Sequence, residues 1–548
     1  MLIASVICLI PTVAALDDAF DVREATIDGI HNALFTGLTT CRGVVSSYLA
    51  RIEALNPTIN AFTTLNPDAL SIADSMDLQV AQGNATGPLF CIPVLVKDNF
   101  DAVPMNTTGA CLALAANKPT DDAPTVRALK HAGAIILGKT NMHELALEGL
   151  TVSSLGGQTL NPYDQTRTPG GSSGGSGAAV AANLAVFATG TDTMNSLRSP
   201  AASNSLFSFR PTRGLISRAG VIPISYTQDA LGAMARTVRD LAVALTVMAG
   251  VGYDARDNTT ALVPPDVVGT DYVAALRGGP GLDGLRLGLL QGFFDFTDGN
   301  ETTPVNNVLA TLVGKLQSAG ATVVNITEAI YNTTAISAAL DVQAYEYREG
   351  LDEYLAGADL TGDRPASFDD LYTSGKFLVV PSQYSFVNKS FISSTSNTSY
   401  FTAQRGIQNL TTALHATFSA NNLDALIYPE QKNLVVKVGS SSQSGRNGIL
   451  AAVTGSPVVV VPAGFSEPSE DAPMGVPVGM EILGLPWSEG KLLKIAQGIS
   501  EVMPVRRMPI FAKSMVEIPD GGYEGSSVPT VTPLANVPPE YAVGRLYS

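Results

Sequence analysis

Residues Thr168–Thr212 read TPGGSSGGSGAAVAANLAVFATGTDTMNSLRSPAASNSLFSFRPT and carry the strongest fold signal in the chain. The Gly/Ser-rich opening, residues 170–176, is followed by an alanine-rich segment, Ala178–Ala182, which predicts a helix, and by an apolar run, Leu184–Ala188, which predicts a strand. A second turn of small residues, 190–196, ends in a serine. Glycine permits close backbone approaches, and a serine hydroxyl can donate, accept or attack. We therefore expect the two turns to bring two serines together.

The composition is that of a folded, acidic protein. Of the 548 residues, 45% are hydrophobic and 15% are charged, which supplies material for a large core and argues against disorder. The length exceeds the usual size of one core, so one very large domain or two domains are expected. The net charge is −16 and no basic cluster stands out, so nucleic acid and anionic membranes are excluded as partners. We interpret the acidity as a contribution to solubility.

The first fifteen residues, MLIASVICLIPTVAA, predict a secretory signal peptide. They are apolar, and Val13 and Ala15 are small residues at the spacing that signal peptidases prefer. We therefore expect cleavage after Ala15 and a secreted protein, with a buried N-terminal helix or an uncleaved anchor as alternatives. The run is short for a membrane span and no later apolar run reaches about 20 residues, so no stable membrane span is expected.

Nine Asn-x-Ser/Thr sequons agree with passage through a eukaryotic secretory route. Each sequon alone is a weak signal, but together they predict a glycoprotein. The acceptor residues are Asn84, Asn106, Asn258, Asn300, Asn325, Asn332, Asn388, Asn397 and Asn409.

The cysteines predict one disulfide and one free thiol. Of four cysteines, Cys8 leaves with the signal peptide, and Cys41, Cys91 and Cys111 remain. We favour a Cys91–Cys111 bond, because Cys91 opens an apolar run and Cys111 follows a short loop; three buried thiols are the alternative. The Cys and His spacings do not resemble a zinc site, so no metal is expected.

Strand and helix patterns alternate along most of the chain, which predicts an α/β layered fold with a largely buried sheet. Strands are predicted at 92–96, 134–137, 285–290, 322–326, 424–428, 457–462 and 478–483. Helices are predicted at 40–54, 67–80, 122–132, 237–249, 303–318, 334–356, 398–420 and 488–502. Since no linker divides the chain, we expect one domain over 16–517, elaborated by helices at about 300–420, and a Pro/Gly-rich extension at 518–548.

Two stretches match well-known motifs only literally. Gly133–Thr140 has the form G-x-x-x-x-G-K-T, but its intervening residues Ala-Ile-Ile-Leu indicate a strand rather than a phosphate-binding loop. Gly170–Gly174 has the form G-x-S-x-G, but the nucleophile elbow of an α/β-hydrolase follows a strand, and residues 161–169 are a polar loop. The late histidine of such a triad would be His415, which lies within a helical pattern. An esterase that uses Ser172 is kept as an alternative.

Lys97 is the candidate base. It ends the apolar run Ile92–Val96, so its ammonium group is expected to be desolvated, which favours the neutral form that accepts a proton. The alternatives are a lysine whose amine reaches solvent or one paired with Asp98.

Several ordered blocks resemble the amidase signature family, serine hydrolases of amide bonds. Thr168–Thr212 resembles the signature sequence itself, and Gly87–Asn99 resembles the family's lysine motif. Further similar blocks are Gly133–Leu147, Asp229–Thr237 and Val461–Gly479. The resemblance implies a single large α/β/α domain in which helices cover a mixed, mostly buried sheet.

The resemblance also implies a Ser–cis-Ser–Lys triad, with Lys97 as base, Ser172 as the cis-serine relay and Ser196 as the nucleophile that forms the acyl-enzyme. The two serines lie 24 positions apart, as in the family. The backbone amides of the turn Thr193, Met194, Asn195 and Ser196 would form the oxyanion hole. The implied substrate is a small-molecule carboxamide, cleaved to an acid and ammonia or an amine without a metal or cofactor.

Two departures from the family pattern affect these expectations. Met194-Asn195 stands where the family usually has Gly-Gly, and Arg210 stands where it usually has lysine. Asparagine tolerates left-handed backbone geometry, so the turn is expected to survive, with Met194 shaping the pocket. A non-catalytic amidase-like protein is therefore a further alternative.

Overall fold

Eleven strands form one mixed sheet through the middle of the protein, in a computed structural model that describes residues 20–278, 281–516, 523 and 525–546. The strands are β1 (Phe62–Leu65), β2 (Ile92–Lys97), β3 (Lys118–Pro119), β4 (Ala134–Thr140), β5 (Val152–Ser153), β6 (Gly157–Gln158), β7 (Phe187–Asp192), β8 (Phe207–Arg210), β9 (Ala230–Ala235), β10 (Arg286–Leu290), β11 (Thr322–Ile326), β12 (Leu360–Thr361), β13 (Ala425–Pro429), β14 (Val458–Phe465) and β15 (Pro477–Leu483). The order in the large sheet is β1-β4-β2-β7-β9-β8-β14-β15-β13-β10-β11.

Helices cover this sheet. They are α1 (Ile27–Phe35), α2 (Cys41–Ile59), α3 (Ala69–Ala81), α4 (Pro124–His131), α5 (Gly174–Ala181), α6 (Arg198–Ser203), α7 (Val238–Ala249), α8 (Thr303–Ser318), α9 (Thr333–Leu340), α10 (Gln343–Leu355), α11 (Phe368–Thr373), α12 (Tyr384–Ile392), α13 (Thr398–Asn421), α14 (Ile449–Thr454) and α15 (Glu489–Val502). None of the helices in the described residues is long and apolar enough to cross a membrane.

The middle of the sheet is buried on both faces. Strand β2 is parallel to β4 and β7, every residue of these three strands is buried, and β7 continues into the antiparallel pair β9 and β8. Parallel strands that are covered on both sides are apolar along their whole length, which is why the run at 92–96 is a clear signal in the sequence. Residues 134–137 lie inside β4, so the predicted strand there is confirmed and the phosphate-loop match is an accident of composition.

The predicted helix at 334–356 is wrong in one respect, because it is two helices. Helix α9 ends just before Asp341, whose backbone is extended, and α10 begins at Gln343. The carboxylate of Asp341 accepts hydrogen bonds from the backbone and the side chain of Gln343, and Gln228 accepts a 3.0 Å bond from the Val342 amide. An aspartate that bonds nearby backbone in this way competes with helix continuation.

The strand predicted at 184–188 lies further along the chain. Strand β7 spans Phe187–Asp192 and includes Gly190, Thr191 and Asp192, which the sequence predicts as a turn. Each of these three residues pairs with a residue of β9. A partner strand therefore extends β7 over polar residues that carry no local strand signal.

The predicted Cys91–Cys111 bond is wrong, since the disulfide joins Cys41 to Cys91 with Cα atoms 5.5 Å apart. Cys41 begins α2, which packs against β2, and Cys91 directly precedes β2. Cys111 is a buried free thiol in a separate apolar cluster with Tyr347 and Phe368. Packing of a helix that is distant in sequence thus selects the partner of Cys91.

The predicted signal peptide, residues 1–15, lies outside the described residues, as do residues 517–522 at the start of the predicted extension. The boundaries of the predicted domain at 16 and 517 stay predictions.

Candidate functional site

Lys97 lies at the end of β2, and its ammonium group is completely buried. Its Nζ donates hydrogen bonds of 2.7 Å to Ser172 Oγ and of 2.7 Å to Thr191 Oγ1. The amine therefore does not reach solvent. It is not paired with Asp98 either, because Asp98 forms an ion pair with the buried Lys139 at 3.2 Å.

Burial lowers the pKa of Lys97 to about 7, because the protein interior solvates an ammonium ion poorly. The carboxylates of Asp192 and Asp229 act in the opposite direction at longer range. The two hydroxyls that Nζ bonds, those of Ser172 and Thr191, are both neutral. A neutral amine is thus available near physiological pH, and it lies within hydrogen-bond distance of a serine.

Ser172 lies in the Gly/Ser-rich loop before α5, and the Gly171–Ser172 peptide bond is cis. A Cβ atom on Gly171 would lie 2.6 Å from Thr151 Oγ1 and 2.9 Å from the carbonyl carbon of Gly149, so only glycine fits there. The Ser172 carbonyl accepts a 3.0 Å bond from the His143 amide. Close backbone packing therefore holds the loop against its neighbours.

Ser196 ends the turn between β7 and α6, and the turn is bound to the first loop. The Ser196 carbonyl accepts a 3.0 Å bond from the Ser173 amide, which brings the neighbour of Ser172 against Ser196. Ser196 is 5% exposed. Thr193 donates a 2.6 Å hydrogen bond to Asp229. Within the described residues, no acceptor is bonded to the backbone amides of the turn at 193–196. These amides are free to bind an oxyanion.

The side chain of Asn195 points away from these amides into the protein. Its Nδ2 donates to Glu430 Oε1, and its Oδ1 accepts a 2.7 Å bond from the Gly448 amide. Neither Met194 nor Asn195 has a positive φ, so the left-handed tolerance that the sequence suggests for asparagine is not used. Met194 packs against the apolar cluster that contains Leu450.

A buried ionic network lies beneath the turn. Asp192 binds Arg198 at 3.0 Å and Arg210 at 2.8 Å, and Arg198 also binds Glu481 at 2.8 Å. Although burial alone raises the pKa of Asp192, the two guanidinium groups hold it well below its usual range. Asp192 Oδ2 also accepts a 3.1 Å bond from the Leu197 amide. The network thereby ties both ends of the turn to the sheet.

A cavity of about 650 Å³ adjoins the site. Its wall includes Thr191, which binds Lys97, and Thr193, which belongs to the turn. Asn99 also lines the cavity and donates a 3.2 Å bond to Thr191 Oγ1. The remaining wall comes from residues 218–231, from α10 and from the loop that follows α10.

The esterase alternative finds little support in the geometry. Residues 161–169 before the Gly/Ser loop contain no strand, and His415 is exposed in the middle of α13. His143 contacts Ser172 only through its backbone amide, and burial lowers the pKa of its imidazole to about 4. The acceptor of the Lys97 amine, by contrast, is the Ser172 hydroxyl itself.

Four residues that contact the site were not predicted from the sequence: Asn99, Thr191, Asp229 and Glu430. The first three lie inside the resembling blocks, which therefore carry a signal that could have identified them. Glu430 carries no local signal, and only the fold brings it to Asn195, 235 positions away. No group of three or more His, Cys, Asp or Glu side chains in the described part of the chain is placed to hold a metal ion.

Comparison with known proteins identifies the family. The sequence model of the family described as Amidase matches residues 43–493. A subunit of the glutamyl-tRNA(Gln) amidotransferase of Chloroflexus aurantiacus is 34% identical over 491 residues, which cover 87% of this chain and 96% of that protein. The native peptide amidase of Stenotrophomonas maltophilia is 34% identical, with a TM-score of 0.76 over 89% of this chain and 99% of that one.

An amidase family protein of Bacillus anthracis is 29% identical, with a TM-score of 0.75 over 89% of this chain and 92% of that one. Sequence and fold thus agree over almost the whole length of these relatives. The chain therefore belongs to the amidase signature family, hydrolases of C–N bonds.

Proposed function

We propose that the protein is a secreted amidase that cleaves a carboxamide through Ser196, Ser172 and Lys97. The observation that carries the proposal is the 2.7 Å hydrogen bond between the buried Lys97 amine and Ser172 Oγ. Because the pKa of Lys97 is lowered to about 7, the amine can accept a proton near neutral pH. A base, a serine relay and a second serine at a turn with free amides are the parts that acyl transfer requires.

The proposed reaction runs in two halves. Neutral Lys97 takes the proton of Ser172, Ser172 takes that of Ser196, and Ser196 Oγ attacks the substrate carbonyl. The backbone amides at 193–196 stabilise the negative charge on the carbonyl oxygen. Ser172 returns a proton to the leaving nitrogen as the C–N bond breaks, which leaves an ester on Ser196. Water, deprotonated through the same relay, then releases the acid and restores Ser196.

The relatives support a carboxamide as the substrate. One solved relative is a peptide amidase, which favours amides that include the terminal amide of a peptide. Another relative belongs to an amidotransferase, which keeps an assembly-dependent amide donor as the second candidate. The predicted signal peptide favours the first, because an enzyme that leaves the cell acts without the cell's tRNA machinery. Release of ammonia by the isolated protein would decide between them.

The nucleophile can be identified by covalent labelling. The protein is treated with a fluorophosphonate, and the adduct is mapped by mass spectrometry. We expect labelling at Ser196 and none in Ser196→Ala. Ser199→Ala is the matched control, because Ser199 lies three positions further on and its buried hydroxyl has no hydrogen-bond partner within the described residues. An adduct at Ser172 would instead support the esterase, and the absence of any adduct would support a non-catalytic relative.

Secretion and glycosylation belong to the same proposal. Seven of the nine acceptor asparagines are exposed: Asn84, Asn258, Asn300, Asn325, Asn332, Asn397 and Asn409. Asn106 is only partly exposed, and its Nδ2 donates a 2.9 Å bond to the Ala115 carbonyl, so we expect it to stay unmodified. After expression in a eukaryotic host, the medium should contain a glycoprotein that begins at Leu16. A protein retained in the cell with residues 1–15 intact would contradict the proposal.

A further inference from the structure

The cavity beside the site is strongly acidic. Its wall carries seven carboxylate side chains, Asp101, Asp121, Asp122, Asp229, Asp257, Glu353 and Asp359, but only two cationic ones, Arg218 and Arg256. Both arginines are already paired, Arg218 with Asp257 at 2.7 Å and Arg256 with Asp254 at 3.3 Å. The surplus of negative charge therefore faces the space that a substrate would enter.

Four of these carboxylates have no cationic partner within 4 Å in the described residues: Asp101, Asp229, Glu353 and Asp359. By contrast, Asp121 is paired with Arg127, and Asp122 with Lys130. Asp229 is bonded to Thr193 in the turn. This leaves Asp101, Glu353 and Asp359 as unneutralised acids on the wall away from the turn.

Neutral groups alone hold two of these three acids. Tyr354 donates a 2.8 Å bond to Asp101, and Tyr226 donates to Glu353. Asp101 is 6% exposed, and burial, together with the nearby charge of Asp359, raises its pKa to about 6. A carboxylate that lacks a cation in such surroundings is stabilised when a cation binds beside it.

Asn99 provides an independent sign of a ligand. It is 2% exposed and lines the cavity, and its Oδ1 has no hydrogen-bond partner in the described part of the chain. Its Nδ2 donates to Thr191, which fixes the orientation of the amide. A buried polar atom without a partner is uncommon, because its desolvation goes uncompensated. The free atom is an acceptor, so the missing partner is a donor.

The rest of the wall limits the kind of cation. Apolar side chains line the cavity between the acids and the turn, among them Val221, Ile222, Ile224 and Leu360. The volume of about 650 Å³ lies within the range of small-molecule sites. The acids do not gather into a metal-binding group in the described residues. An organic ammonium on an aliphatic chain suits this wall better than a metal ion.

We propose that this cavity selects amide substrates that carry a cationic amine, with the ammonium group bound by Asp101, Glu353 and Asp359 and a further N–H donated to Asn99. The inference rests on the proposed amidase function, since it places the scissile amide at Ser196. The aliphatic part of the substrate lies along the apolar wall. The acidic wall thereby favours cationic amides over neutral and anionic ones.

Binding tests the inference without catalysis. Calorimetry on the wild-type protein compares n-pentylammonium with 1-pentanol, two probes of equal chain length that cannot be hydrolysed. We expect the ammonium to bind about tenfold more tightly, the effect of one charge-assisted contact. In Glu353→Gln/Asp359→Asn the preference should fall toward unity. The control Asp363→Asn, an exposed acid on the same loop but outside the cavity wall, should keep it.

Turnover tests the same preference at the proposed site. The ratio of kcat/KM for N-acetyl-lysinamide to that for N-acetyl-norleucinamide should be about ten or more in the wild type, and should collapse in the double variant. Equal binding of the two probes, or a preference that survives the double variant, would overturn the inference. Absence of Ser196 labelling and of all amide hydrolysis would overturn the proposed function instead, whereas the binding comparison would still decide the inference.

Discussion

The side-chain oxygen of Asn195 accepts a 2.7 Å hydrogen bond from the Gly448 amide, and the same side chain donates to Glu430. Asn195 stands where the family usually has glycine. The contact therefore replaces a flexible position with one that is bound on both sides. The side chain that interrupts the usual Gly-Gly pair braces the turn from behind, and the cavity side of the turn stays open.

Replacing Asn195 by glycine is expected to destabilise the protein by about 2 kcal/mol, because two buried hydrogen bonds are lost and the Glu430 carboxyl loses its donor. The midpoint of chemical denaturation measures this change. Burial raises the pKa of Glu430 to about 8, so its carboxyl is largely protonated at neutral pH and the loss stays moderate. An unchanged midpoint with unchanged labelling of Ser196 would show that Asn195 does not brace the turn.

Gly448→Ala is expected to displace the turn. A Cβ atom there would lie 1.9 Å from Asn195 Oδ1 and 2.2 Å from the Met194 carbonyl oxygen. We expect a loss of about 3 kcal/mol or more in stability, as for other overpacked sites, together with loss of fluorophosphonate labelling. Gly314→Ala in α8 is the matched control, since nothing lies within 4 Å of its added Cβ, and it should stabilise the protein slightly. Wild-type labelling in Gly448→Ala would refute this role.

Activity should rise with pH through about 7, because only the neutral form of Lys97 accepts a proton and burial lowers its pKa to about that value. Below that pH the ammonium form dominates and the rate falls about tenfold per pH unit. Lys97→Ala should lower kcat by about 10³-fold or more, the usual contribution of a general base. Lys97→Arg should be similarly inactive, since a guanidinium stays charged. A flat profile of kcat/KM between about pH 5 and pH 9 would reject Lys97 as the base.

The Cys41–Cys91 bond should stabilise the protein by about 4 kcal/mol, the loop-entropy value for its sequence separation of 50. The variant Cys41→Ser/Cys91→Ser is expected to unfold at a correspondingly lower denaturant concentration. Cys111→Ser should leave the disulfide intact. Peptide mapping without reduction should find residues 41 and 91 linked and Cys111 as a free thiol. A Cys91–Cys111 peptide would contradict the structure.

Much of the fold was predictable because its signals are local. The run Ile92–Val96 is apolar because both faces of β2 are covered, and the helix periods at 303–318 and 488–502 reflect one buried face each. The boundary at Asp341 and the extension of β7 over Gly190–Asp192 were not predictable in this way. Both depend on partners elsewhere in the chain, Gln228 in one case and β9 in the other.

The family, the alternation of strands and helices and the residues proposed for the reaction all follow from the sequence alone, because each is written in a contiguous block. Which groups meet depends instead on the tertiary structure. The fold places Ser172 rather than Asp98 beside the Lys97 amine, joins Cys91 to Cys41, and brings Glu430 to Asn195. It also gathers Asp101, Glu353 and Asp359 around one cavity. The physical reason is that desolvation, charge compensation and close packing depend on distances between distant segments, which local sequence does not contain.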